Sequence, residues 1–136
     1  MPAGYSGTPL IKKLGIKENM KLLLIAAPEN YFDLLETDAS SQLLKKNEIP
    51  DWVHLFVTSK KEFLKQMQGL KKFCKINPHI TIWVSWYKKS SKMPTDMTEE
   101  TIRHYALQNG LVDVKVCAVS ETWSGLKLVV PLAKRK

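Results

Sequence analysis

Cysteine is scarce in this chain. Cys74 and Cys117 stand alone, with no C-x-x-C spacing and no even framework of four or more. That excludes a disulfide scaffold and reads as two free thiols in a reducing cytoplasm. Long apolar runs are missing as well. The longest, residues 22–27, falls far short of the ~20 apolar residues a membrane helix needs. No basic stretch followed by an apolar one opens the sequence, so no secretory signal and no membrane contact are expected. His54, His79 and His104 have no Cys, Asp or His at ligand spacing, which leaves no metal site to expect. A G-x-S-x-G nucleophile turn and a Walker-type phosphate loop are both absent. Arginine is limited to Arg103 and Arg135.

What is present is an ordinary globular composition. The chain has 136 residues, 44% of them hydrophobic, enough for one domain over 1–136 with a core of its own. Its net charge of +8 raises the question of nucleic acid. The charge is carried almost wholly by lysine and is dispersed, in pairs such as Lys45-Lys46, Lys60-Lys61 and Lys71-Lys72. Base reading leans on Arg, Asn and Gln. A dispersed lysine surface reads first as solvation, with a nucleic-acid or ribonucleoprotein partner as the alternative.

Residues 21–27, apolar without a break from Leu22 and closed by Pro28, predict a buried strand. Before it, Thr8 is expected to cap a short helix begun by Pro9 and ended by Gly15. Asn30 is expected to cap another short helix over 31–36. Residues 37–50 resist assignment, with Leu43-Leu44 either an edge strand or a helical turn. A strand follows at 52–57. Ser59 and Glu62 make a capping box for a helix whose apolar stripe is Phe63, Met67, Leu70 and Cys74. Asn77-Pro78 stops it. Residues 79–86 predict a central strand, and 88–95 a polar loop. Asp96 should open the next helix, with Ile102, Tyr105 and Ala106 inward and Gly110 at its end. Two last strands, 111–119 and 126–132, should be joined by a turn at 121–125. The alternation predicts an α/β fold, a three-layer sandwich on a mostly parallel sheet of about five or six strands with a reversed C-terminal strand.

Residues 52–132 run in an order that resembles the second half of the class I methyltransferase fold, a Rossmann-like domain with its middle removed. The resemblance implies a glycine-rich cofactor loop after the first strand. This chain has Ala26-Ala27-Pro28-Glu29-Asn30 there instead, so neither S-adenosylmethionine nor any other cofactor is expected. A degenerate methyltransferase-like enzyme is the third functional reading. At the motif level, Gly4-Tyr5-Ser6-Gly7-Thr8-Pro9-Leu10, Trp83-Val84-Ser85-Trp86, Gly110-Leu111-Val112-Asp113-Val114-Lys115 and Trp123-Ser124-Gly125-Leu126-Lys127 resemble an uncharacterised family of small bacterial domains. That family has Pro where this chain has Tyr87, and it implies fold and origin rather than an activity.

In open parallel sheets, ligands bind beyond the carboxyl ends of the strands. The predicted topology brings three segments to that edge. Ser6, Gly7 and Thr8 offer a helix start for a phosphate or carboxylate. Lys88, Lys89 and Lys92 add charge, and Ser90 and Ser91 add hydroxyls. Trp86, Tyr87 and Trp123 offer flat faces, and Glu121 and Ser124 complete the set. Glu29 and Glu121 read either as an acid and base facing each other across that edge or, first, as two solvated loop carboxylates. The same residues also read as a helix cap, core tryptophans, a solvated lysine loop and a hairpin turn. No catalytic set emerges. The expectation is a binding module for a small anionic ligand or a phosphorylated partner.

Overall fold

A computed structural model describes residues 8–134. The helices are α1 (Leu10–Lys13), α2 (Tyr31–Leu35), α3 (Lys60–Ile76) and α4 (Glu99–Gln108). The strands are β1 (Leu22–Ile25), β2 (Trp52–Phe56), β3 (Thr81–Tyr87), β4 (Val112–Ala118) and β5 (Trp123–Val129). They form one sheet in the order β1-β2-β3-β5-β4. β1, β2 and β3 pair in parallel, while β5 pairs antiparallel with both β3 and β4. The reversed last strand is therefore inserted between β3 and β4, and β4 runs with β1 to β3 without touching them.

Side-chain alternation builds the three layers. Val53, Leu55, Ile82, Val84, Leu126 and Leu128 point to one face, where Phe63, Met67 and Leu70 of α3 and Ile102 and Ala106 of α4 cover them. Trp52, Phe56 and Trp83 point to the other face and pack with Leu14 after α1 and with Tyr31 and Leu35 of α2. Every residue of β2 is buried, as a strand covered on both faces requires. The α3 stripe follows the i, i+4, i+7 spacing read from the sequence, and Ser59 Oγ accepts from Glu62 N at 3.2 Å.

Several local expectations change. β1 is an edge strand, not a buried one. Leu22 is fully buried, but Leu23, Leu24 and Ile25 are only half-buried. Its outer flank has a single parallel bridge to Leu43, with Leu44 N donating to Leu22 O at 2.7 Å. Thr8 does not cap α1. Pro9 holds the cap position and no side chain bonds the helix start. Asn30 stands at the cap of α2 without a capping hydrogen bond. Thr98, not Asp96, caps α4, because its Oγ1 accepts from Thr101 N at 3.2 Å. Asp96 Oδ1 instead accepts from Lys60 N at 2.8 Å and ties the start of α3. Gly125 lies inside β5 rather than in the turn.

Gly15 ends α1 at φ +72°, the left-handed geometry expected of a glycine stop. Ala26 takes φ +58° directly after β1. A Cβ makes that conformation costly by about 1–2 kcal/mol. Ala26→Gly relieves the strain but adds freedom to the unfolded chain. The expected result is a net gain of about 0.5–1 kcal/mol in urea unfolding, and a loss of stability would show that the Ala26 methyl is held by packing.

Candidate functional site

Beyond the carboxyl end of β3, Lys88 begins a loop that tightens into a 3-10 turn at Lys89–Ser91. Ser91 Oγ donates to Lys88 O at 2.6 Å and accepts from Met93 N at 3.3 Å, which folds the loop on itself. Lys92 follows at φ +58°. The chain after β4 turns through Ser120, whose Oγ accepts from Thr122 N at 3.1 Å and Trp123 N at 3.2 Å. Lys88 N donates to Thr122 O at 2.9 Å and joins the two segments. Tyr87 and Trp123 are register partners, so both rings fall on one face of the sheet. They stack at 4.4 Å between centroids. Trp123 also meets Phe56 edge-on at 5.0 Å, and Phe56 stacks on His54 at 4.3 Å. The outer ring pair is thus anchored to the core.

Between the loop and the turn lies an open cleft of about 640 Å³, lined by Tyr87, Ser90, Ser91, Met93, Glu121, Thr122 and Trp123. Ser90, Ser91, Glu121 and Trp123 of the sequence-derived set come together there. Lys88, Lys89 and Lys92 belong to the same loop, and Lys89 and Lys92 are exposed. Trp86 is elsewhere. It alternates away from Tyr87 and packs in the core beneath α3 and α4. Ser124 sits in β5 between Trp86 and Ala118, off the cleft lining. Ser6 and Gly7 lie outside the described residues, and Thr8 is exposed and does not line the cleft. Glu29 and Glu121 cannot pair as acid and base. β1 is at one edge of the sheet and the β4–β5 turn at the other. Strand spacing separates them by roughly 15 Å. Sequence reading missed Met93 and Thr122, whose only signal was adjacency to the loop and turn.

At Gly125 the neighbours approach closely enough that any side chain would have to displace them by a few tenths of an ångström. A Cβ there would lie 3.1 Å from Val119 Cγ2, 3.2 Å from Trp83 Cε3 and 3.3 Å from Ser85 Oγ. Ser85, its register partner, belongs to a second constellation that the sequence did not reveal. Tyr31 Oη and His54 Nδ1 are 2.7 Å apart, and His54 Nε2 and Ser85 Oγ are 2.7 Å apart. Burial keeps the Tyr31 phenol protonated, with a smaller push from Cys117. A neutral imidazole carries one N–H, so one ring nitrogen of His54 donates and the other accepts along the line from Tyr31 to Ser85. Burial also pushes the imidazole down to about 3, so His54 is neutral. His54 and Ser85 have no solvent exposure. The line cross-links α2, β2 and β3 and presents no nucleophile to a substrate.

Cys117 is buried, and burial raises its thiol against the opposing pull of Lys13, Lys115 and Lys88. It stays a protonated core residue rather than a thiolate. No group of three or more His, Cys, Asp or Glu able to hold a metal exists among the described residues. No described helix is long and apolar enough to cross a membrane.

The architecture matches solved structures at very low identity. A protein of the NADB-Rossmann superfamily from Streptococcus agalactiae aligns with a TM-score of 0.58 and 9% identity over 94% of this chain and 70% of its own. An uncharacterised protein from Listeria monocytogenes serotype 4b aligns with a TM-score of 0.59 and 7% identity over 93% of this chain and 69% of its own. Identities this low speak for a Rossmann-like fold and not for a shared activity. No family model matches the chain, and no curated protein matches it.

Proposed function

We propose that the chain is a non-catalytic Rossmann-like binding module whose carboxyl-edge cleft takes a small phosphorylated ligand bearing a planar ring. The observation that carries this reading is the stacked Tyr87–Trp123 pair bordering a cleft between the Lys88–Lys92 loop and the Glu121 turn. A ring continues the aromatic stack. The ammonium groups of Lys88 and Lys89 and the Ser90 hydroxyl meet the phosphate, while the Ser91 hydroxyl stays bonded to Lys88 O and holds the loop in shape. Glu121 opposes a second negative charge at the lining and accepts a hydrogen bond from a ligand hydroxyl or amine, which favours a ligand with its charge at one end.

The test is amide NMR of the labelled protein against nucleotides and sugar phosphates, repeated with Lys88→Glu and Lys89→Glu together. The expected result is shifts clustered at residues 87–93 and 121–123, and binding weakened about tenfold or more in the double variant. Stability stays within about 0.5 kcal/mol of the parent, since the changes are at the surface. Unchanged affinity in the double variant overturns this placement. An affinity that collapses steeply with salt and ignores the ring of the ligand points instead to a nucleic-acid backbone.

A further inference from the structure

A second cavity, of about 520 Å³, opens at the opposite, amino edge of the sheet, between the C-terminal halves of α3 and α4. Such a volume falls within the range of about 300–1,000 Å³ typical of small-molecule sites. Met67, Leu70, Cys74, Leu111 and Val130 give it an apolar wall. Burial raises the Cys74 thiol, so that wall stays uncharged. Lys71, Lys75 and Lys134 also line it, all exposed, and no carboxylate is among its lining residues. Tyr105 lines it too, and the Tyr105 hydroxyl is buried with no hydrogen-bond partner. Nearby Asn109 bonds the Tyr105 backbone instead, its Nδ2 donating to Tyr105 O at 2.8 Å.

An unpaired buried donor beside an apolar cavity rimmed by three cations is incomplete without an acceptor. A buried hydroxyl left unpaired is destabilising, and a bound acceptor removes that loss. We infer that this amino-edge cavity binds an amphiphile with an apolar body and an anionic head, the head held by the Tyr105 hydroxyl and by Lys71 and Lys75. The site is distinct from the carboxyl-edge cleft and does not depend on the reading given to that cleft.

The experiment uses decanoate as probe, with decanol and decyltrimethylammonium as controls, below their micelle concentrations. Binding is read by equilibrium dialysis and amide NMR. Decanoate should bind with shifts at residues 70–75 and 105–111, at least about tenfold tighter than the cation of equal chain length. Tyr105→Phe keeps the ring and removes the unpaired hydroxyl, so its melting temperature should hold or rise while decanoate affinity falls about tenfold. Lys71→Glu with Lys75→Glu, a surface change, should weaken decanoate and spare decanol. No decanoate binding at millimolar concentration, equal binding of the cation, or an unaltered affinity in Tyr105→Phe overturns the inference.

Discussion

Trp83→Ala should lower the unfolding free energy by about 3–5 kcal/mol, the range for truncating a fully buried aromatic side chain. Trp83 has no exposed surface and sits in the central strand β3, flanked by β2 and β5. Its indole fills the layer between the sheet and the segment that follows α1. The Nε1–H also donates to Leu14 O at 2.9 Å, a carbonyl that Trp52 Nε1 reaches at 2.8 Å. One backbone oxygen at a helix end, where carbonyls lack helical partners, thus accepts from two indoles. The double contact separates packing from hydrogen bonding. Trp83→Phe keeps much of the ring volume, and Trp52 still satisfies the Leu14 carbonyl. Its expected cost is therefore smaller, about 1–2 kcal/mol. Urea unfolding monitored by far-UV circular dichroism measures both. A loss below about 1 kcal/mol for Trp83→Ala would mean that the α1 layer contributes little to the core.

The same residues show what the sequence made legible and what it did not. Local signals carried well. The Ser59–Glu62 box and the Phe63, Met67, Leu70 stripe specify α3 because capping and helical spacing act over a few residues. The apolar runs at β2 and β3 and the glycine stop after α4 are of the same kind. Facts that depend on register were hidden. Trp86 and Tyr87 are adjacent in a strand, so only one of them can share a face with Trp123. The choice falls on Tyr87 because β3 and β5 pair Tyr87 with Trp123. The insertion of β5 between β3 and β4 is likewise a long-range choice, and it moves Gly125 out of the turn and opposite Ser85. In the candidate site, the loop and the turn were legible because unusual residues cluster in them. The cleft's floor and the exclusion of Trp86 were not. The Tyr31–His54–Ser85 line joins three elements far apart in sequence, with no spacing rule to betray it.

That line sets the largest pH effect expected of the protein. In the folded chain the His54 imidazole is pushed down to about 3 by burial, against an ordinary value of 6.5. Between those values the unfolded chain binds a proton that the folded chain refuses. Stability from the neutral, buried imidazole is therefore complete above pH 6.5 and is lost as pH falls towards about 3. The slope is about 1.4 kcal/mol per pH unit, so the loss is about 3 kcal/mol at pH 4.5 and approaches about 5 kcal/mol at the bottom of the window. Two carboxylates act lower down. Asp38 is held below its usual range by hydrogen bonds from the Ser40 side chain and backbone, and Glu48 by the Lys45 N–H and then Lys21. Asp38 is exposed and Glu48 half-buried, and both titrate below the ordinary carboxylate range, which leaves the interval from pH 6.5 to 4.5 to His54. His54→Gln removes the titration while keeping a donor and an acceptor between Tyr31 and Ser85. At pH 7 it should be about 1–3 kcal/mol less stable than the parent, through imperfect pairing in a buried site. Its unfolding free energy should then stay flat while that of the parent falls, so the two curves converge near pH 5. Urea titrations at pH 7, 5.5 and 4.5 decide the matter. A parent whose stability drops by less than about 1 kcal/mol across that interval, or a Gln variant with the parent's slope, would show that His54 accepts its proton inside the fold.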